Sequence, residues 1–155
     1  MIKYNMFDAI CHEHLAYYTS KIIIKMAKNK LIIGGAKVLI LGLTFKENTN
    51  DSRESAAIYV SEYLINCGAK IRVFDPMVPK ENIKSDLINI MSSKGIEQKV
   101  IIERLKNLSI LSNIEDALRD CEAVAILTSW GLFKKYDWGK IKKSTPKRFL
   151  FFKNV

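Results

Sequence analysis

The residues best suited to chemistry lie close together, in the stretch Gly42-Leu43-Thr44-Phe45-Lys46-Glu47-Asn48-Thr49-Asn50-Asp51-Ser52-Arg53-Glu54-Ser55. Lys46 and Arg53 bring an ammonium and a guanidinium into one short polar segment. The first is a compact point charge and the second a planar fork, so the pair suits a phosphate or a polar sugar. The same residue types also occur as solvated surface, and composition alone leaves both readings open. Gly42 has no second glycine two positions on and no third behind it, so the dinucleotide fingerprint GxGxxG is absent. An anion bound here would not be cradled by a glycine-rich turn. Asp51, Glu54 and Ser55 read mainly as groups that order the loop and cap the helix after it.

Other candidates are weaker. The three cysteines, Cys11, Cys67 and Cys121, are far apart and form no CxxC pair, which argues against a disulfide framework or a cysteine-rich zinc site and fits a reducing, cytoplasmic setting. Cys11, His12 and His14 are too close in sequence to converge on one ion from a helix or strand, so no metal site is expected. The formal charge of +9 favours anionic partners. The lysines are nevertheless scattered, with no basic stripe interleaved with aromatics, so nucleic-acid binding is not expected. No apolar run approaches the length of a signal peptide's core or a membrane span.

The elements that must position the loop follow from apolar patterning. LAYYTSKIIIKMAKNKLII, residues 15–33, has broadly helical spacing and is expected to end at Gly34-Gly35. KVLILGLTF is a nearly continuous apolar run, the pattern of a strand buried on both faces. Ser55 stands just ahead of the helix AAIYVSEYLINCG, which Gly68 should stop, and IRVFDP gives a second strand closed by Asp75-Pro76. Asp75 also occupies the place where a dinucleotide-binding unit contacts ribose, though an Asp-Pro pair reads first as a turn former.

Residues 78–107 predict one or two helices with a loop near Ser92 to Gly95. LSIL predicts a strand, IEDALRDC a helix opened by Asn113, EAVAILTSW a buried strand ending at Thr128-Ser129, DWGKIKKS a short helical turn and RFLFF a last strand. Trp130, beyond a strand end, reads as packing. Strands alternating with helices from Lys37 onward predict an α/β fold: a Rossmann-like, doubly wound parallel sheet preceded by an N-terminal helix. The expected division is residues 1–35 as extension and helix, and 36–155 as one domain.

GLTFKENTNDSRES resembles the GLxFKxxTxDxRES segment that opens the C-terminal domain of UDP-glucose and GDP-mannose dehydrogenases. IYVSEYLINCGA, IRVFDPMVPKENI and AVAILTSWGLFKKYDWGKI are similar to successive segments of the same domain, nearest the UDP-glucose 6-dehydrogenase branch. The resemblance implies a UDP-sugar-binding domain of an NAD-dependent enzyme that oxidises the sugar 6-hydroxyl to a carboxylate. It also implies that NAD is bound mainly by an N-terminal domain not found in this sequence. Carried over by position, Phe45 and Lys46 match the pair that contacts the nucleotide sugar, and Arg53 matches the arginine that reaches the cofactor. A flat ring and an ammonium can hold one part of an anionic ligand while a guanidinium grips another.

Two departures limit the expected activity. The family's nucleophilic thiol belongs to a glycine-rich segment absent from these residues, and Cys11, Cys67 and Cys121 read as structural thiols. The FLFF strand runs into Lys153 where the family has an Asp-Gly-Arg stretch. The chain is therefore expected to bind without turning over alone, with homo-oligomerisation or pairing with an intact dehydrogenase subunit as possible partnerships. Separately, FDAICHEHLAYYT resembles a FDxIYHEHxxYYS stretch of sugar C-methyltransferases, where Glu13 and His14 match candidate bases.

Overall fold

The computed structural model describes residues 21–22, 24–44, 46, 48–53, 55–144 and 150–153. Cys11, His12, Glu13, His14, Phe45 and Glu54 lie outside the described residues, and the readings placed on them stay as expectations. Among the described residues, five strands form one parallel sheet: β1 (Lys37–Leu41), β2 (Lys70–Phe74), β3 (Leu108–Ile110), β4 (Ala123–Ile126) and β5 (Leu150–Lys153). Their order is β3-β2-β1-β4-β5. The chain winds outward from β1 to one edge, returns, and winds to the other. This is the doubly wound arrangement, with a switch point between β1 and β4.

Because strand side chains alternate between faces, β1 shows why its apolar run is unbroken. Val38 and Ile40 point into one core with α2 (Ala56–Asn66), α3 (Lys80–Ser93) and α4 (Gln98–Leu105). Leu39 and Leu41 point into the other, with α5 (Ile114–Leu118) and α6 (Gly131–Lys134). α7 (Trp138–Ser144) packs Trp138 and Ile141 against this second core. Val38, Leu39, Ile40 and Leu41 are fully buried, each worth about 1.5–3 kcal/mol of transfer free energy.

Helix ends follow local chemistry. Ser55 caps α2 by accepting a hydrogen bond from the Ile58 N–H at 3.3 Å, and Asn113 caps α5 through the Asp116 N–H at 2.8 Å. Gly68, at φ 84°, closes α2 by donating to the Ile65 carbonyl while Ala69 donates to that of Leu64. The expected loop near Ser92 to Gly95 separates α3 from α4.

The N-terminal helix departs from expectation. The part described, α1, is helical at residues 21–22 and 24–28 and stops well before Gly34-Gly35. Lys30 adopts φ 56°, and the Lys30 and Leu31 N–H groups close the helix on the Ala27 and Met26 carbonyls. This is the geometry glycine usually supplies, here carried by a lysine. Ile22, Met26 and Leu31 are buried in the first core, so α1 packs on the sheet face. α6 was not foreseen; four residues are too few to show a period.

Candidate functional site

The loop after β1 leaves the sheet at the switch point, flanked by the ends of β2 and β4. Gly42 makes the turn at φ 82°, and a Cβ placed there would meet the Thr128 Cβ at 2.5 Å and its backbone N and O at 2.8 Å. Only glycine lets β1 pass the end of β4 this closely. Gly42 serves a close crossing of two strand ends, in keeping with the absence of a glycine-rich phosphate turn from the sequence.

Beyond Gly42, successive residues are tied down. The Gly42 N–H donates to the Phe74 carbonyl at 2.9 Å and the Leu43 N–H to Asp75 Oδ2 at 2.8 Å. The Thr44 carbonyl accepts from Thr128 Oγ1 at 2.7 Å, and Thr44 Oγ1 donates to the Lys46 carbonyl at 2.9 Å. Leu43, Thr44 and Thr128 are buried while the Lys46 side chain is exposed. The main chain from Gly42 to Thr44 is therefore fixed on three strand ends, and the Thr44 hydroxyl ties it to Lys46.

Of the two roles read for Asp75 from sequence, turn former and ribose contact, the structure takes the first. Asp75 Oδ1 accepts from the Met77 and Val78 N–H groups at 2.9 and 3.0 Å, which is the turn-forming role. Its Oδ2 accepts from Leu43 and from the Trp130 indole N–H at 3.1 Å. Trp130 is buried in the second core, so it packs as expected and also donates. A ribose has no open place on this carboxylate, and with the glycine fingerprint also absent the switch point does not fit a dinucleotide in the usual manner.

Further along the loop, the Arg53 Nε and Nη2 donate to the two Asp51 oxygens at 3.0 Å each, and the Arg53 N–H also reaches Asp51 Oδ1. The hydrogen bonds from the Arg53 side chain, then from its backbone, hold the Asp51 carboxyl below its ordinary value; the same pairing raises Arg53. Both are well exposed, so solvent screens the pair and an anion can compete for the guanidinium. Ser52, buried, donates to Asp86 Oδ2 on α3 at 2.5 Å and pins the loop's middle.

Lys46 and Arg53 thus sit on one loop, while Asp75, Thr128 and Trp130 support it from elsewhere. The sequence signal for those supports was weak: a turn dipeptide and the end of an apolar run. Cys121 is fully buried, and burial raises its thiol to about 11, partly offset by nearby Arg72. Cys67 is the C-terminal cap of α2. Neither described thiol is placed as a nucleophile. Among the described residues, no group of three His, Cys, Asp or Glu side chains converges as a metal site, and no helix is long and apolar enough to cross a membrane.

Residues 39–153 match the model of the UDP-glucose/GDP-mannose dehydrogenase family, UDP binding domain. The chain is 40% identical over 119 residues to the UDP-glucose 6-dehydrogenase of Gallus gallus, covering 74% of this chain and 22% of that protein. It is 33% identical over 115 residues to UDP-glucose 6-dehydrogenase 1 of Arabidopsis thaliana, covering 70% and 24% respectively. It spans between a fifth and a quarter of the length of both relatives. In fold it is similar to a UDP-D-ManNAc dehydrogenase from Pyrococcus horikoshii, with TM-score 0.62 and 20% identity over 90% of this chain and 30% of that one. With a glycine-crossed switch point, a braced cationic loop after β1 and a family match covering nearly the whole sheet, the chain belongs to the UDP-glucose/GDP-mannose dehydrogenase family and carries its UDP binding domain.

Proposed function

We propose that this chain supplies the UDP-sugar half of the site in an NAD-dependent UDP-sugar 6-dehydrogenase of the UDP-glucose to UDP-glucuronate type. The family match over residues 39–153 carries the reading, and the identity to UDP-glucose 6-dehydrogenases favours glucose over other sugars. Phe45 and Lys46 are the proposed substrate contacts, with the ammonium meeting an anionic part of the ligand and the ring packing on a flat or apolar part. Arg53 is the proposed cofactor contact. Its fork is exposed and, among the described residues, hydrogen-bonded to Asp51, so a phosphate of NAD presented from a neighbouring domain would exchange one anionic partner for another.

Under this reading residues 39–153 bind UDP-sugar in the cytoplasm and do not turn it over by themselves. Support comes from the two described thiols, one buried and protonated and the other a helix cap. Calorimetry with UDP-glucuronate tests the assignment. Lys46→Ala is expected to weaken binding about tenfold, the scale of one charge-assisted hydrogen bond. Unchanged affinity would remove Lys46 from the site.

A further inference from the structure

We infer that Asp75 is a positioning residue for the candidate site, a single carboxylate that sets the place of Leu43 and, through Thr44, of Lys46 relative to the ends of β2 and β4. The inference rests on the proposed UDP-sugar reading of that site. An ionised carboxylate offers about four acceptor positions, and Asp75 uses four: Met77 and Val78 N–H on Oδ1, Leu43 N–H and the Trp130 indole on Oδ2. No acceptor position is left for a ligand, so the residue acts through what it holds.

Its partners come from three separate places in the chain. Leu43 is 32 residues away and Trp130 is 55, while Met77 and Val78 form Asp75's own turn. Leu43 begins the sequence of ties that ends at Lys46. The next tie, Thr128 to the Thr44 carbonyl, also comes from the end of β4. Asp75 and Thr128 therefore brace adjacent residues of one loop from opposite sides of β1. Removing the carboxylate frees the Leu43 N–H and leaves the Trp130 indole N–H without its acceptor. The loop then loses preorganisation, and ordering it again must be supplied by the ligand's binding energy.

The test compares wild type, Asp75→Ala, Asp75→Asn and a control, Ile101→Ala, which creates a cavity in the first core away from the loop. Each is measured for UDP-glucuronate affinity, thermal midpoint and hydrogen exchange at the Leu43 amide and Trp130 indole by NMR. Asp75→Ala is expected to raise Kd about tenfold and to speed Leu43 and Trp130 exchange by a similar factor. Asp75→Asn, which keeps the shape but turns two acceptor positions into donors, is expected to show the same pattern if the alanine variant is too unstable to purify. Ile101→Ala should lower the midpoint while leaving affinity and both exchange rates near wild type.

An affinity loss shared equally by Ile101→Ala would reduce Asp75 to general stability. A loss in the Asp75 variants without faster Leu43 exchange would point to direct ligand contact; either result overturns the positioning role. If wild type itself binds no UDP-glucuronate, the UDP-sugar reading fails, and the role of Asp75 in binding fails with it. If wild type binds and the Asp75 variants bind equally well, only the role of Asp75 falls.

Discussion

At the scale of single residues, burial decides what the thiols do. Cys121 lies in the second core, where its Sγ contacts the Ala117 carbonyl at 3.0 Å and burial lifts it from 9.0 to about 11. A thiol raised by folding binds its proton more tightly in the folded state. The associated stability is fully present below the unfolded thiol's pKa and is lost as pH rises through the folded one. Stability should therefore fall between about pH 9 and 11 by about 2–3 kcal/mol in wild type, and by visibly less in Cys121→Ala. Urea unfolding across that window checks it; parallel curves for the two proteins would show that Cys121 is not the titrating group. The same buried thiol should resist alkylation in the folded chain, as suits a structural group.

At the scale of elements, the crossing of β1 and β4 is the feature most sensitive to a single methyl. Gly42→Ala would place a Cβ against the Thr128 main chain and force alanine to φ 82°. The combined strain and overlap should cost about 3 kcal/mol and lower the thermal midpoint by about 6–12 °C. Scanning calorimetry would show this, and a midpoint within a degree or two of wild type would mean that β4 yields easily. Much at this scale was legible in sequence. Continuous apolar runs marked β1 and β4 because both sheet faces are covered there, and Gly68 marked the end of α2 because its φ made the closing turn cheap. The end of α1 was not legible, since Lys30 took the left-handed position that glycine normally marks. The site was legible in part. Lys46 and Arg53 announce themselves by charge, whereas Asp75, Thr128 and Trp130 become neighbours only once β2, β1 and β4 lie side by side.

At the scale of the whole molecule, ligand choice should appear as global stabilisation, because the loop is anchored to three of the five strands. A ligand that binds only the folded chain adds RT ln(1 + [L]/Kd), about 2.7 kcal/mol at a hundredfold excess over Kd. For a chain of 155 residues that corresponds to a rise of about 5–10 °C in the thermal midpoint. UDP-glucuronate is expected to produce this rise. NAD alone is expected to produce almost none, because the switch point has no glycine-rich turn and all four acceptor positions of Asp75 are engaged, leaving Arg53 as the single proposed contact. The net charge of +9 provides the competing explanation, since any polyanion would then stabilise the chain. Salt separates the two. Diffuse attraction to scattered lysines should disappear with added salt, as polynucleotide binding does, while a shift arising at one braced loop should be reduced but retained. A midpoint that rises equally with NAD, polynucleotide and UDP-glucuronate, and collapses for all three in salt, would assign the effect to charge and leave the loop without a ligand of its own.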